Sequence, residues 1–158
     1  MIPPLPVLLS AAGLGVSLAG FSGLVAAFRR GATWQKVDSY RLRQIPEMGL
    51  AASLLALLMI PLADTVHDAP AAIRIGALAA LAFSIFHIVT LIRRVRHMEI
   101  RLSRPRWIAV SVIDLAVLGT GAVTALAPSL GAFEWLLVVM LARPMLAFVL
   151  VLADVAEG

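Results

Sequence analysis

Residues 135–153 read WLLVVMLARPMLAFVLVLA, an apolar run broken by one charge, Arg143, and by the proline after it. A helix rises ~1.5 Å per residue, so a run of this length covers the ~30 Å hydrocarbon core of a bilayer. Working outward toward the N-terminus, four further runs of the same kind appear. The five candidate spans are 6–28, 46–63, 74–92, 107–127 and 135–153. The expected fold is all-α: a polytopic membrane helix bundle with five transmembrane helices, forming one membrane domain over 1–158.

Composition agrees. Apolar residues are 61% and charged residues 14% of the 158, with a mean hydropathy of +0.99. Ordinary globular domains carry roughly 45–50% and about 25%. A soluble fold of this size has too little interior to hide so much apolar surface. A water-soluble enzyme, a disordered chain and a secreted disulfide scaffold are thereby excluded. Cysteine is absent, so thiol catalysis and Cys-ligated zinc or iron–sulfur clusters are excluded as well.

Punctuation marks the span ends. The second span starts either at Pro46 or near Ser39, as an amphipathic helix running through Pro46; proline is accepted in a first helical turn. Asp68 and Pro70 precede the third span, and Ser103 and Pro105 the fourth. Pro128 ends the fourth, and Ser129 and Gly131 fall in the turn before the fifth. Connections this short make sequential helices antiparallel neighbours.

The chain holds 13 basic and 9 acidic residues. Arg29, Arg30, Lys36, Arg41 and Arg43 follow the first span, and Arg93, Arg94, Arg96, Arg101, Arg104 and Arg106 follow the third. The other two connections carry Asp64, Asp68, Arg74 and Glu134. Positive charge stays in the cytoplasm, which predicts the N-terminus outside and the C-terminus inside. Trp34, Tyr40 and Trp107 then mark the inner interface and Trp135 the outer one. Because the arginines sit between apolar spans, anionic lipid headgroups are the expected partners of these inner loops, and nucleic acid is not. The first span lacks a preceding basic segment and is followed by Arg29 and Arg30, so it reads as an uncleaved helix.

Two features carry the functional reading. The first is a stripe of small residues at every fourth position of the first span: Ala11, Gly15, Ala19, Gly23 and Ala27. Such stripes let helix backbones approach closely, either within one chain or along a homo-oligomer seam. Gly49 with Ser53, Gly76 with Ala80 and Ser84, and Gly121 with Ala125 repeat the pattern. The second feature is the set of ionisable residues at membrane depth: Glu47, His87, Asp114 and Arg143. A charge at the helix centre costs at least ~2.5–3.5 kcal/mol unless paired or hydrated, so these groups should face the bundle interior. Asp114 and Arg143 lie at similar depths from the inner boundary and are expected to pair. Pro144 removes a helical hydrogen bond from the carbonyl of Met140, beside that cation. Ser84, Thr90 and Ser111 fall near the cluster at helical spacing.

The cluster reads either as a wet inner vestibule for protons, ions or a small anion, or as a polar clasp fixing helix order. Asp64, His67 and Asp68 form an outer-loop group too small to hold a metal, and no metal site is expected. His87 is the only histidine at membrane depth, which excludes bis-histidine haem within one chain, and no cofactor is expected. No nucleophile elbow, zinc-protease pair, Walker loop or dinucleotide turn is present, so no enzymatic activity is expected.

Gly20-Phe21-Ser22-Gly23-Leu24-Val25, the Arg29–Arg30 pair, Trp34 through Asp38, Arg41-Leu42-Arg43 and Glu47 form a further pattern. It resembles a loose group of bacterial multi-pass inner-membrane proteins with no assigned activity. In them a G-F-x-G helix is followed by a W…[DE]-x-x-R-[LF]-R segment and an acidic residue entering the next helix. The resemblance covers the first 50 residues or so and extends in style to Glu134-Trp135-Leu136-Leu137. Where Arg143 stands, such proteins often carry an uncharged polar residue. The resemblance implies a bacterial inner-membrane location and carries over no site. Two functions stay open: an oligomeric ion or proton pore or carrier using the ionisable cluster, and a non-catalytic accessory or assembly subunit of a larger membrane complex.

Overall fold

A computed structural model describes residues 5–28, 36–98 and 104–156. These residues form helices α1 (Leu5–Phe28), α2 (Lys36–Val66), α3 (Ala69–Met98), α4 (Arg104–Leu126) and α5 (Leu130–Ala156). Each contains a stretch long and apolar enough to cross a membrane. The architecture is all-helical and consistent with an integral, multi-pass membrane protein. Arg29, Arg30, Trp34, Arg101 and Ser103, used above for topology and capping, lie outside the described residues, as do the side chains of Lys36, Tyr40 and Arg41.

Three helices begin at least five residues before the runs marked by hydropathy. α2 begins at Lys36 and passes unbroken through Pro46, so the earlier of the two starts considered is the one adopted. α3 begins at Ala69 rather than 74, with Asp68 immediately before it and Ala72 N–H bonded to the Asp68 carbonyl at 2.9 Å. α5 begins at Leu130 rather than 135. Ser129 Oγ accepts from Ala132 N–H at 3.2 Å, capping an orphan donor of the first turn. Gly131 therefore lies inside α5 and not in the turn. Between α2 and α3, His67 takes φ 53°, the left-handed conformation that ends a helix.

Interhelical contacts step in opposite directions along sequential helices, so all four sequential pairs are antiparallel. Ser53 and Gly49 of α2 meet Ala12 and Gly15 of α1. Met59 and Gln44 of α2 meet Gly76 and His87 of α3. Leu81 of α3 meets Gly121 of α4, and Leu136 and Arg143 of α5 meet Gly121 and Asp114. α5 touches each of the other four helices and is the most buried span, whereas α4 is the least.

The bundle therefore has a basic end, carrying Arg43, Arg93, Arg94, Arg96, Arg104 and Arg106, and an opposite end carrying Asp64, Asp68, Arg74 and Glu134. At the opposite end Arg74 Nε donates to the Ala125 carbonyl at 3.0 Å, satisfying a last-turn acceptor of α4. The main apolar core fills that half: Leu8, Met59, Ile73, Phe133, Leu136, Leu137 and Met140 are all buried in one cluster. A smaller cluster of Leu42, Ile45, Ala147 and Val151 closes α2 on α5 near the basic end.

The closest backbone approach is α1 on α2. A Cβ on Gly15 would overlap the Gly49 carbonyl oxygen and Ser53 Oγ, and one on Gly49 would fall 2.6 Å from the Gly15 carbonyl oxygen. Ser53 Oγ lies 2.8 Å from the Ala12 carbonyl and 2.9 Å from its own helix's Gly49 carbonyl, so one hydroxyl proton serves both acceptors. Ala11 is buried here too, and Ala19 is half-buried. Gly23 and Ala27, the rest of the stripe, are exposed, and nothing lies within 4 Å of a Cβ built on Gly23.

Candidate functional site

Arg143 is 4% exposed in the middle of α5, and its Nη1 donates to Oδ1 of Asp114, which is 14% exposed on α4. The pair forms because two antiparallel helices bring residues ten from the start of α4 and thirteen from the start of α5 to one level. Each charge answers the other where hydration is scarce, so neither carries its full desolvation cost. Pro144 sits buried inside a helix that runs on to Ala156 and leaves the buried Met140 carbonyl without its helical N–H partner.

His87 of α3 is buried and has a partner that the sequence reading did not name. The amide N–H of Gln44, itself buried on α2, meets His87 Nε2 at 3.3 Å, and His87 accepts through the tautomer protonated at Nδ1. The Phe83 ring stacks on the imidazole with centroids 6.1 Å apart. Arg143, Glu47 and Arg94 all lie within Coulombic range of His87.

Glu47 belongs to that rim. Its carboxylate accepts from Arg43 Nε at 2.6 Å and lies 3.5 Å from Arg94 Nη1. The first is an i,i+4 pair on α2; the second ties α2 to α3. Arg94, assigned above to a loop, is in fact in the last turns of α3. The four ionisable residues therefore resolve into a rim triad, a buried Gln44–His87 bond and a buried Arg143–Asp114 pair.

The hydroxyls around them do not join in. Ser84 and Thr90 donate to Ala80 and Phe86 carbonyls of their own helix, and Ser111 is exposed. Among the described residues no three carboxylate, imidazole or thiol groups converge as a metal site, and Asp64, His67 and Asp68 are all exposed.

Chemically, the arrangement offers a fixed guanidinium with a carboxylate seated on it, and the apolar cluster of Phe133, Leu136, Leu137 and Met140 lies toward the opposite end. No protein-family model matches this chain, nor does any curated protein or solved structure. The bearing on function is that of the chain's own residues.

Proposed function

We propose that this chain is a small integral membrane carrier of ions or protons, working through the polar cluster of its basic half. The observation that carries the reading is the buried Arg143–Asp114 pair inside an otherwise apolar bundle. Ionisable groups inside membrane spans are rare, and ion and proton pathways are among the places where they occur. The positive-inside rule directs the basic end to the cytoplasm of a bacterial inner membrane, with N-terminus out and C-terminus in. Its arginines meet anionic headgroups there. Outward-facing Gly13, Gly20 and Gly23 on α1, each with open space around it, suit a homo-oligomer.

The test is purified protein in vesicles carrying pH- and voltage-sensitive dyes, under imposed gradients of protons, potassium and chloride. Flux above protein-free vesicles supports the carrier; none under any gradient refutes it.

A second reading is favoured by the same outward glycines. They offer a close-approach face to a foreign helix, as an accessory or assembly subunit of a larger membrane complex would need. Purification in mild detergent separates the two: a stoichiometric foreign subunit supports the accessory role, and a homogeneous homo-oligomer supports the carrier.

A further inference from the structure

We infer that the ligand of Arg143 is a small monocarboxylate anion that takes the place of Asp114, and that it binds together with one proton. The inference rests on the carrier reading above and names its substrate class.

A guanidinium is a planar fork of donors whose geometry matches a carboxylate, and it stays charged under all physiological conditions. A fixed cation in a narrow path repels cations and admits anions. Arg143 is a fixed cation, buried in the bundle on the basic side of the main apolar cluster. The group already on it, Asp114, is a carboxylate on a single methylene, so the site holds within the chain a stand-in for the ligand it suits.

The approach is basic as well. At the basic end Arg43 and Arg94 both pair with Glu47. Arg93, Arg96 and His97 are exposed at the end of α3. Such a mouth concentrates anions before they enter.

Charge balance supplies the proton. With Asp114 on Arg143 the pair is neutral. A monocarboxylate that displaces Asp114 brings one negative charge into a region that cannot solvate it. The charged group facing Asp114 from α5 is Arg143; His87 on α3 has Arg143, Glu47 of α2 and Arg94 of α3 within Coulombic range. Once Arg143 is taken, a proton on the Asp114 carboxylate restores neutrality. The bound state then contains one carboxylate on Arg143 and a neutral Asp114, and the protein carries the equivalent of one undissociated acid with no net charge.

The experiment uses the full chain in sealed vesicles with an internal pH dye, and radiolabelled pyruvate as the probe. The expected result is pyruvate uptake above protein-free vesicles with one proton taken up per pyruvate, unaffected by an imposed membrane potential. Arg143→Gln abolishes uptake. Arg143→Lys, which keeps the charge and loses the fork, raises the half-saturating concentration by roughly tenfold or more, the loss of one charge-assisted hydrogen bond. In Asp114→Asn, an uncharged isostere of the protonated acid, whatever uptake remains no longer moves a proton and becomes sensitive to the potential. Pyruvate uptake that is electrogenic in the unaltered chain, or that survives unchanged in the Arg143→Gln and Arg143→Lys variants, overturns the inference. Transport of protons or inorganic ions without pyruvate overturns it and leaves the carrier reading standing; vesicles that move nothing overturn both.

Discussion

Adding one methyl group at Gly15 should cost far more than adding it two turns further along the same helix. At Gly15 the new carbon would overlap the Gly49 carbonyl oxygen and Ser53 Oγ. Neither can give way locally: one is backbone of a continuous helix, and the other is held 2.8 Å from the Ala12 carbonyl. Relief requires α1 and α2 to separate along the contact. Overpacking of this kind costs about 1–3 kcal/mol, and loss of the Ser53 bond across the helices adds ~0.6 kcal/mol. Gly15→Ala is therefore expected to lose about 2–3 kcal/mol. Gly23→Ala meets nothing within 4 Å and should be neutral or gain up to ~0.5–1 kcal/mol from the lower entropy of alanine. The assay is reversible unfolding in mixed micelles titrated with a denaturing detergent, followed by far-UV circular dichroism. Equal losses at the two positions would refute the close α1–α2 packing. A loss at Gly23 that grows on dilution would move the stripe's structural role to an interface between copies.

Three further outcomes are expected in the same unfolding assay. Asp114→Leu strands a buried guanidinium and should cost about 3 kcal/mol, most of it recovered in the Asp114→Leu/Arg143→Leu double variant; additive losses would mean the two groups do not depend on each other. Gly76→Ala presses on Met59 Sδ at 2.6 Å and the Phe133 ring at 3.0 Å, and Gly121→Ala on Leu81 Cδ2 at 2.7 Å and Cγ at 2.9 Å, side chains and not backbone, so each should cost less than Gly15→Ala, about 1 kcal/mol. Glu47→Gln weakens two ion pairs whose arginines are 66% and 30% exposed, so its loss should stay under ~1 kcal/mol and vanish at high salt. A larger, salt-independent loss would place Glu47 in the interior cluster.

The rim and the buried pair illustrate how far residues can be read without coordinates. Asp114 and Arg143 were legible because an isolated charge in an apolar run has few places to go, and helical rise alone sets both at one depth. Gln44 was not, because an uncharged amide in the segment before Pro46 gives by itself no sign of burial whichever of the two starts is taken. Once α2 begins at Lys36, Gln44 falls one turn before the buried Met48, on the face turned toward α3. A helical register carried back through the proline would have found it. Glu47 and His87 were grouped by depth, yet they take different partners, since depth does not fix the rotation of a helix about its axis. The same ambiguity divided the small-residue stripe, whose first members pack within the chain while Gly23 and Ala27 face outward.

The order of apolar runs and charged breaks determined five helices, their antiparallel sequence and the segregation of basic residues to one end, because a backbone in an apolar medium must satisfy its own hydrogen bonds and charge must stay near water. Tertiary structure decided which groups touch: Gln44 on His87, Glu47 on Arg43 and Arg94, Gly15 against Gly49. Those contacts depend on helix rotation and on neighbours distant along the chain, and both are set by the fit of side chains in a shared interior that no single run of sequence contains.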